Sequence, residues 1–142
     1  TNNRIQITSP PCVVRDPLLT AADPFTGFFS VTLIFSQAQI SPIKTAILRA
    51  MSGQRHDLLK VIPETALQDG KKYKLAAKTS HLIQAMDRSK TPITLEQIED
   101  GATVRVKLSF DTFRSVGRSG GFATLGDIQL LRGHGLDRIC NN

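Results

Sequence analysis

The sequence predicts a mainly β protein, and three observations lead to that prediction. In residues 104–110 apolar and polar side chains alternate with the period of two that a strand with one buried face shows. Residues 29–35 form a second run rich in β-branched and aromatic side chains. The Asp100-Gly101 turn and the glycine-rich residues 114–121 bound the first run on both sides, as turn signals bound strands.

The size and charge of the chain predict one basic domain. We expect a single domain over residues 1–142, because this length allows one proper core and rarely two. Residues 1–11 are expected to form an extended arm and residues 133–142 a short polar tail. Eighteen Lys and Arg residues against 12 Asp and Glu give a net charge of +6, which favours a polyanionic partner.

Cysteine content and hydropathy predict a cytoplasmic protein. Cys12 and Cys140 have no CxxC spacing for zinc, and they pair only if the two ends of the chain meet; free thiols in a reducing compartment are the expectation. No apolar run reaches the 18 residues that suggest a membrane span. Residues 1–11 lack the apolar centre of a signal peptide.

The first half of the chain begins with two predicted strands. Residues 4–8 are expected to form an edge strand. In residues 27–36 one face carries the core side chains and the other carries Phe28, Ser30 and Thr32. Phe28 is therefore either a stacking platform on the more polar face or a residue packed beneath a loop or the N-terminal arm.

A helix is predicted to begin at Ser41-Pro42, since Ser at the N-cap and Pro at the first helical position are typical start signals. Apolar side chains then recur at helical spacing from Ile43 to Ala50, which indicates one buried stripe. Ser52-Gly53 is expected to end the helix.

Residues 73–80 predict a strand with a basic face. Lys74 and Lys78 fall on one face, whereas Tyr73, Leu75 and Ala77 fall on the other. The lysines favour a polyanion-binding patch. The alternative is a set of solubilising lysines on an edge strand.

Residues 100–132 predict a long hairpin with a basic outer face. Arg105 and Lys107 share the face that continues to Phe113, and the flexible loop at 114–121 is expected to add Arg114 and Arg118. Cations beside an aromatic ring suit a nucleic-acid backbone and a stacked base. An ordinary solvated strand face is the alternative.

No catalytic motif is found. GxSxG, a P-loop, GxGxxG and HExxH are absent, and the three histidines are scattered. Asp111 and Asp127 are the acidic residues that could approach each other across the hairpin. We therefore expect a protein without enzymatic activity and without a metal or organic cofactor.

Taken together, these segments resemble the phage-encoded single-stranded-DNA-binding proteins with an OB-fold. The matching pieces are residues 73–78 (YKLAAK), the acidic-Asp-Gly turn at 98–101, and the strands at 104–113 and 120–132. The strand at 28–35 and the helix after it also lie where the family has its first strand and helix. Many members end in an acidic tail that recruits partners, and this chain departs from them because GHGLDRICNN is not acidic.

The resemblance implies an OB-like five-stranded barrel with one or two inserted helices, which binds oligonucleotides on its second and third strands and in its loops. It implies sequence-tolerant binding of single-stranded DNA in phage replication, recombination or repair. It also implies that the protein acts in the host cytoplasm, with replication or recombination proteins as possible partners. Phosphates would be contacted by Lys74, Lys78, Arg105, Lys107, Arg114 and Arg118, and bases would stack on Phe28, Tyr73 and Phe113. Two alternatives stay open: an RNA-binding OB module, and a non-enzymatic structural or adaptor protein that binds an acidic partner.

Overall fold

The computed structural model describes residues 4–51, 58–62, 71–115 and 118–133. Within these ranges, side chains are described for all residues except 113–115 and 118–119. These residues contain one α-helix, α1 (Ser41–Met51), and a 3-10 turn at Leu95–Gln97. The strands are β1 (Ile5–Thr8), β2 (Cys12–Leu18), β3 (Phe29–Ser36), β4 (Leu59–Val61), β5 (Lys72–Thr79), β6 (Ala85–Met86), β7 (Pro92–Ile93), β8 (Thr103–Ser115) and β9 (Arg118–Arg132).

Five of the strands close into a barrel. The pairing runs β2-β3-β5-β9-β8 and returns to β2. Neighbours are antiparallel except β5 and β9, which are parallel where Lys78 faces Thr124. This is the mainly β, OB-like five-stranded barrel that the resemblance implied, and α1 is inserted between β3 and β5. The prediction of the fold class is confirmed.

Shorter strands widen the barrel wall. β1 pairs with β8, as expected of an edge strand formed by the N-terminal arm. β4 pairs with β5 beside the β5–β9 contact, and β6 and β7 extend the sheet from β9. Outer surfaces of neighbouring strands therefore form a continuous face well beyond the five barrel strands.

The interior of the barrel is filled by the predicted alternating residues. Val104, Val106, Leu108 and Phe110 of β8 are at most 1% exposed. On β3, the side chains of Val31, Leu33 and Phe35 are at most 2% exposed. Since burying such side chains is the main favourable term in folding, the strand faces follow directly from the alternation.

The helix begins at Ser41 as predicted and buries one stripe. Ile43, Ala46, Ile47 and Ala50 lie in the core, and α1 packs against β1 and β8. Its other face remains exposed, including Leu48, which is 61% exposed. No described helix is long and apolar enough to cross a membrane.

The hairpin of β8 and β9 is longer than the sequence predicted. Residues 114–121 were expected to form a flexible loop, but Arg114 pairs with Ser119 and Ser115 with Arg118. The two strands therefore stay paired as far as Ser115 and Arg118. A Cβ on Gly121 would overlap the end of the Met51 side chain of α1, so a larger residue here requires that side chain to move.

The pairing also separates Asp111 and Asp127, the two carboxylates that could have approached each other across the hairpin. Asp111 pairs with Phe122, five residues before Asp127 on β9. At about 3.4 Å per residue the two positions are roughly 17 Å apart along the hairpin. Asp127 instead accepts the backbone N–H of Gln84 at 3.0 Å. The two carboxylates do not meet because the register of the hairpin, and not membership of one hairpin, sets which residues pair.

Cys12 is a free, buried thiol. Its Sγ lies 3.5 Å from the Val104 carbonyl oxygen, to which it donates, and 3.8 Å from Ser9 Oγ. Burial raises the pKa of Cys12 from 9.0 to about 12, since the thiolate would lose its hydration, and the Ser9 contact opposes this only in part. Cys140 lies outside the described residues.

The Cys12 thiol is expected to be unreactive in the folded protein. At neutral pH a thiol with a pKa of about 12 is almost wholly protonated, whereas the thiolate is the nucleophile. In a Cys140→Ser variant, Ellman's reagent should leave the native protein unlabelled at pH 8 and label one thiol in denaturant. Rapid native labelling would show that Cys12 is accessible.

Candidate nucleic-acid interface

A row of polar side chains crosses five strands on the outside of the barrel. The pairings place Ser30 of β3 beside Lys78 of β5, then Thr124 of β9, Ser109 of β8 and Gln6 of β1. Their sequence neighbours on β5, β8 and β9 face the core, so these side chains point outwards. Hydroxyl, amide and ammonium groups of this kind are the usual contacts to phosphate and sugar.

Four members of this row, Gln6, Ser109, Thr124 and Lys78, line a groove. Two hollows of about 610 and 440 Å³ share Thr79, His81 and Thr124 in their walls, so they adjoin. The strands β1, β8 and β9 form the floor of the larger one, and the segment 79–83 after β5 forms its side. A groove that spans several strands can take an extended polymer.

Three side-chain cations line the groove among the described residues. Lys78 lines the smaller hollow, and Arg4 and Lys107 line the larger one. Arg4 donates a hydrogen bond to Ser109 Oγ at 3.3 Å.

Lys107 faces a bulge at Gly126, where a Cβ would lie 3.0 Å from the Lys107 carbonyl oxygen. The close strand approach therefore depends on glycine.

Two aromatic rings line the smaller hollow beside Lys78. The Lys78 Nζ lies 4.8 Å from the centroid of the Phe28 ring, a cation–π distance. Phe122 lines the same hollow and is 36% exposed. Phe28 was a predicted site residue, and Phe122 was not. The alternation of Phe122 with the buried Ala123 and Leu125 was the signal in the sequence that places it outside.

Further apolar side chains surround this end of the barrel. The turn before β3 is closed by Asp23, whose Oδ1 accepts the backbone N–H of Phe25 at 2.7 Å. Phe25 is 95% exposed, and Leu82, which lines the larger hollow, is 84% exposed. Since Phe29 pairs with Thr79, the turn and the segment after β5 lie at the same barrel end.

Tyr73, a predicted base-stacking residue, lies in the core. Its side chain is 8% exposed and points inwards with Leu75 and Ala77. Lys44 of α1 covers the ring, with its Nζ 4.7 Å from the centroid and 3.5 Å from the tyrosine hydroxyl. The structure thus corrects this expectation: the inward phase of β5 leaves only 8% of the side chain exposed, too little for a base to stack on.

Lys74 lies on the predicted outer face of β5, one of a set of neighbouring lysines. It pairs directly with Lys60 of β4, and all three of Lys60, Lys72 and Lys74 are exposed. Like charges directly opposite each other destabilise a sheet. A bound anion would offset the repulsion between Lys60 and Lys74, so this lysine face is a further surface suited to phosphates.

The remaining predicted residues divide into two groups. Arg105 is exposed, but it lines a separate hollow with Arg88 and Arg132 and does not line the groove. The side chains of Phe113, Arg114 and Arg118 lie outside the described residues. Their roles therefore stay predictions.

Comparison with known proteins adds the fold relationship. No protein-family model and no curated protein sequence matches the chain. A C-terminally truncated single-stranded DNA-binding protein from bacteriophage Enc34 superposes with a TM-score of 0.71 at 12% identity, over 93% of this chain and 87% of that one. The same Enc34 protein in complex with ssDNA gives 0.71 at 13% identity, over 93% and 88%.

A protein from a second phage has the same architecture. The bacteriophage T7 protein gp2.5, a single-stranded DNA-binding protein, superposes with a TM-score of 0.68 at 12% identity, over 92% of this chain and 88% of that one. The chain shares the fold of these proteins over nearly its full length.

Proposed function

We propose that this protein binds single-stranded DNA, without preference for sequence, in the groove on the outside of its barrel. The observation that carries the proposal is the combination in one groove of three cations with two aromatic rings, Phe28 and Phe122. The structural neighbours support it, because one of them is described in complex with ssDNA.

Each half of the groove has its own part in binding. Arg4 and Lys107 neutralise phosphates in the larger hollow, and binding releases the counterions that those phosphates hold. In the smaller hollow bases stack on Phe28 and Phe122, which works for any base because every base has a π face. Lys78 can contribute to both base stacking and phosphate binding, since its Nζ lies over the Phe28 ring and the side chain is exposed to solvent.

Binding of this kind involves no bond-making and needs no cofactor. The groove accommodates the unstacked bases of a single strand. In a duplex the bases are stacked inside the double helix, so they cannot stack on Phe28 and Phe122. Coating of exposed single strands suits phage DNA replication, recombination or repair, in which the protein would act beside other replication or recombination proteins.

The proposal is tested by fluorescence anisotropy with labelled poly-dT, matched oligo-U RNA and duplex DNA at two salt concentrations. Poly-dT is expected to bind most tightly, with an affinity that falls steeply as salt rises. Equal affinity for duplex of the same length would overturn the proposal. Tighter binding of oligo-U would favour the RNA-binding alternative, and no binding of either strand would favour an acidic protein partner.

A further inference from the structure

Three arginines surround a hollow that the groove does not include. Arg88 lies in the turn between β6 and β7, Arg105 on β8, and Arg132 at the end of β9. Together with Thr103, Gln129 and Leu131 they line a volume of about 540 Å³. Among the described residues that line the hollow there is no carboxylate, and Arg88 and Arg105 each bring a positive charge to it.

The turn that carries Arg88 is held in place by hydrogen bonds. Gln129 Nε2 donates to the carbonyl oxygens of Asp87 at 3.4 Å and Arg88 at 3.3 Å. The Asp87 Oδ1 accepts the backbone N–H groups of Ser89 and Thr91, both at 2.9 Å. The Asp87 carboxylate is thus engaged within its own turn, and Gln129 of β9 holds the backbone that positions Arg88.

The hollow continues the groove along the same strands. Arg105 and Lys107 lie two residues apart on the outer face of β8, about 7 Å at the usual strand rise. Along β9 the path from Phe122, in the aromatic hollow, to Arg132 is ten residues, or at most about 33 Å at the usual strand rise. At the stacked spacing of about 3.4 Å per phosphate this corresponds to roughly ten nucleotides, and to fewer in an extended strand.

We propose that the hollow of Arg88, Arg105 and Arg132 is a second phosphate-binding subsite for the DNA strand that occupies the groove. This rests on the proposed function and adds a length dependence to it. A short oligonucleotide occupies the aromatic end alone, whereas a longer one also reaches the three arginines. Guanidinium groups suit this role because they bind phosphate oxygens in pairs.

The test is an oligo-dT length series of about 4 to 16 nucleotides with Arg88→Ala, Arg88→Lys and wild type. Arg88 is exposed in a turn, so its loss should leave the melting temperature nearly unchanged. For long oligomers Arg88→Ala should weaken binding and make the slope of log affinity against log salt shallower by about 0.7. For the shortest oligomers it should match wild type. Arg88→Lys should keep most of the salt slope.

A matched control comes from the same turn. Lys90 does not line the hollow, and its φ of 66° suits asparagine, so Lys90→Asn removes one charge without removing a subsite contact. It should bind long oligomers like wild type. Wild-type affinity of Arg88→Ala at every length, or equal weakening at every length, would overturn the subsite while leaving the groove proposal standing. Failure of wild type to bind any oligomer would overturn both.

Discussion

A variant in which Phe28 and Phe122 are both replaced by alanine is expected to bind poly-dT about thirtyfold or more weakly than wild type. Loss of one stacked base costs roughly 1 to 3 kcal/mol, so two rings account for at least about 2 kcal/mol. The salt slope should stay nearly unchanged, because a ring neutralises no phosphate. Titrations at several salt concentrations measure both quantities on one variant.

The control for this variant is Leu48→Ala. Leu48 is an exposed apolar residue of α1 that does not line the groove, so it reproduces the loss of surface apolar area without touching the site. Melting temperatures should be recorded for all variants. Wild-type affinity in the double phenylalanine variant, with a lowered melting temperature, would mean that both rings only pack against the barrel.

Replacing Lys78 and Lys107 by alanine is expected to change the salt dependence instead. Each ammonium that contacts a phosphate contributes about 0.7 to the slope for single strands, so the double variant should have a slope shallower by about 1.4. Affinity should fall most at low salt, where screening is weakest. Both side chains are exposed, so the free energy of unfolding should change by less than about 0.5 kcal/mol for each.

Arg49→Ala provides the comparison for net charge. Arg49 is exposed near the end of α1 and lies outside the groove and the arginine hollow. It should leave the slope at the wild-type value. If Arg49→Ala made the salt slope shallower by about half as much as the double lysine variant does, binding would depend on the overall charge of +6 and not on the groove.

The sequence by itself determined the positions of β3, β5 and β8 and which side of each is buried, but it did not predict β2 (Cys12–Leu18) or the pairing of β8 with β9 beyond Phe113. Alternation along β3, β5 and β8 is a local property of the chain, and burial follows it because a pleated strand turns successive side chains to opposite faces. The same rule already placed Tyr73 on the inward phase of β5. The resemblance implied that bases stack on Tyr73, but the inward phase of β5 buries the ring.

Only the tertiary structure decided which outer faces lie side by side. β5 meets β9 through the single pair Lys78 and Thr124, although about 45 residues separate them in the chain. Such a contact depends on barrel closure and register, which no local pattern encodes. For this reason Phe122 joins Phe28 in one hollow, while Arg105, two residues from Lys107, belongs to the separate hollow of three arginines.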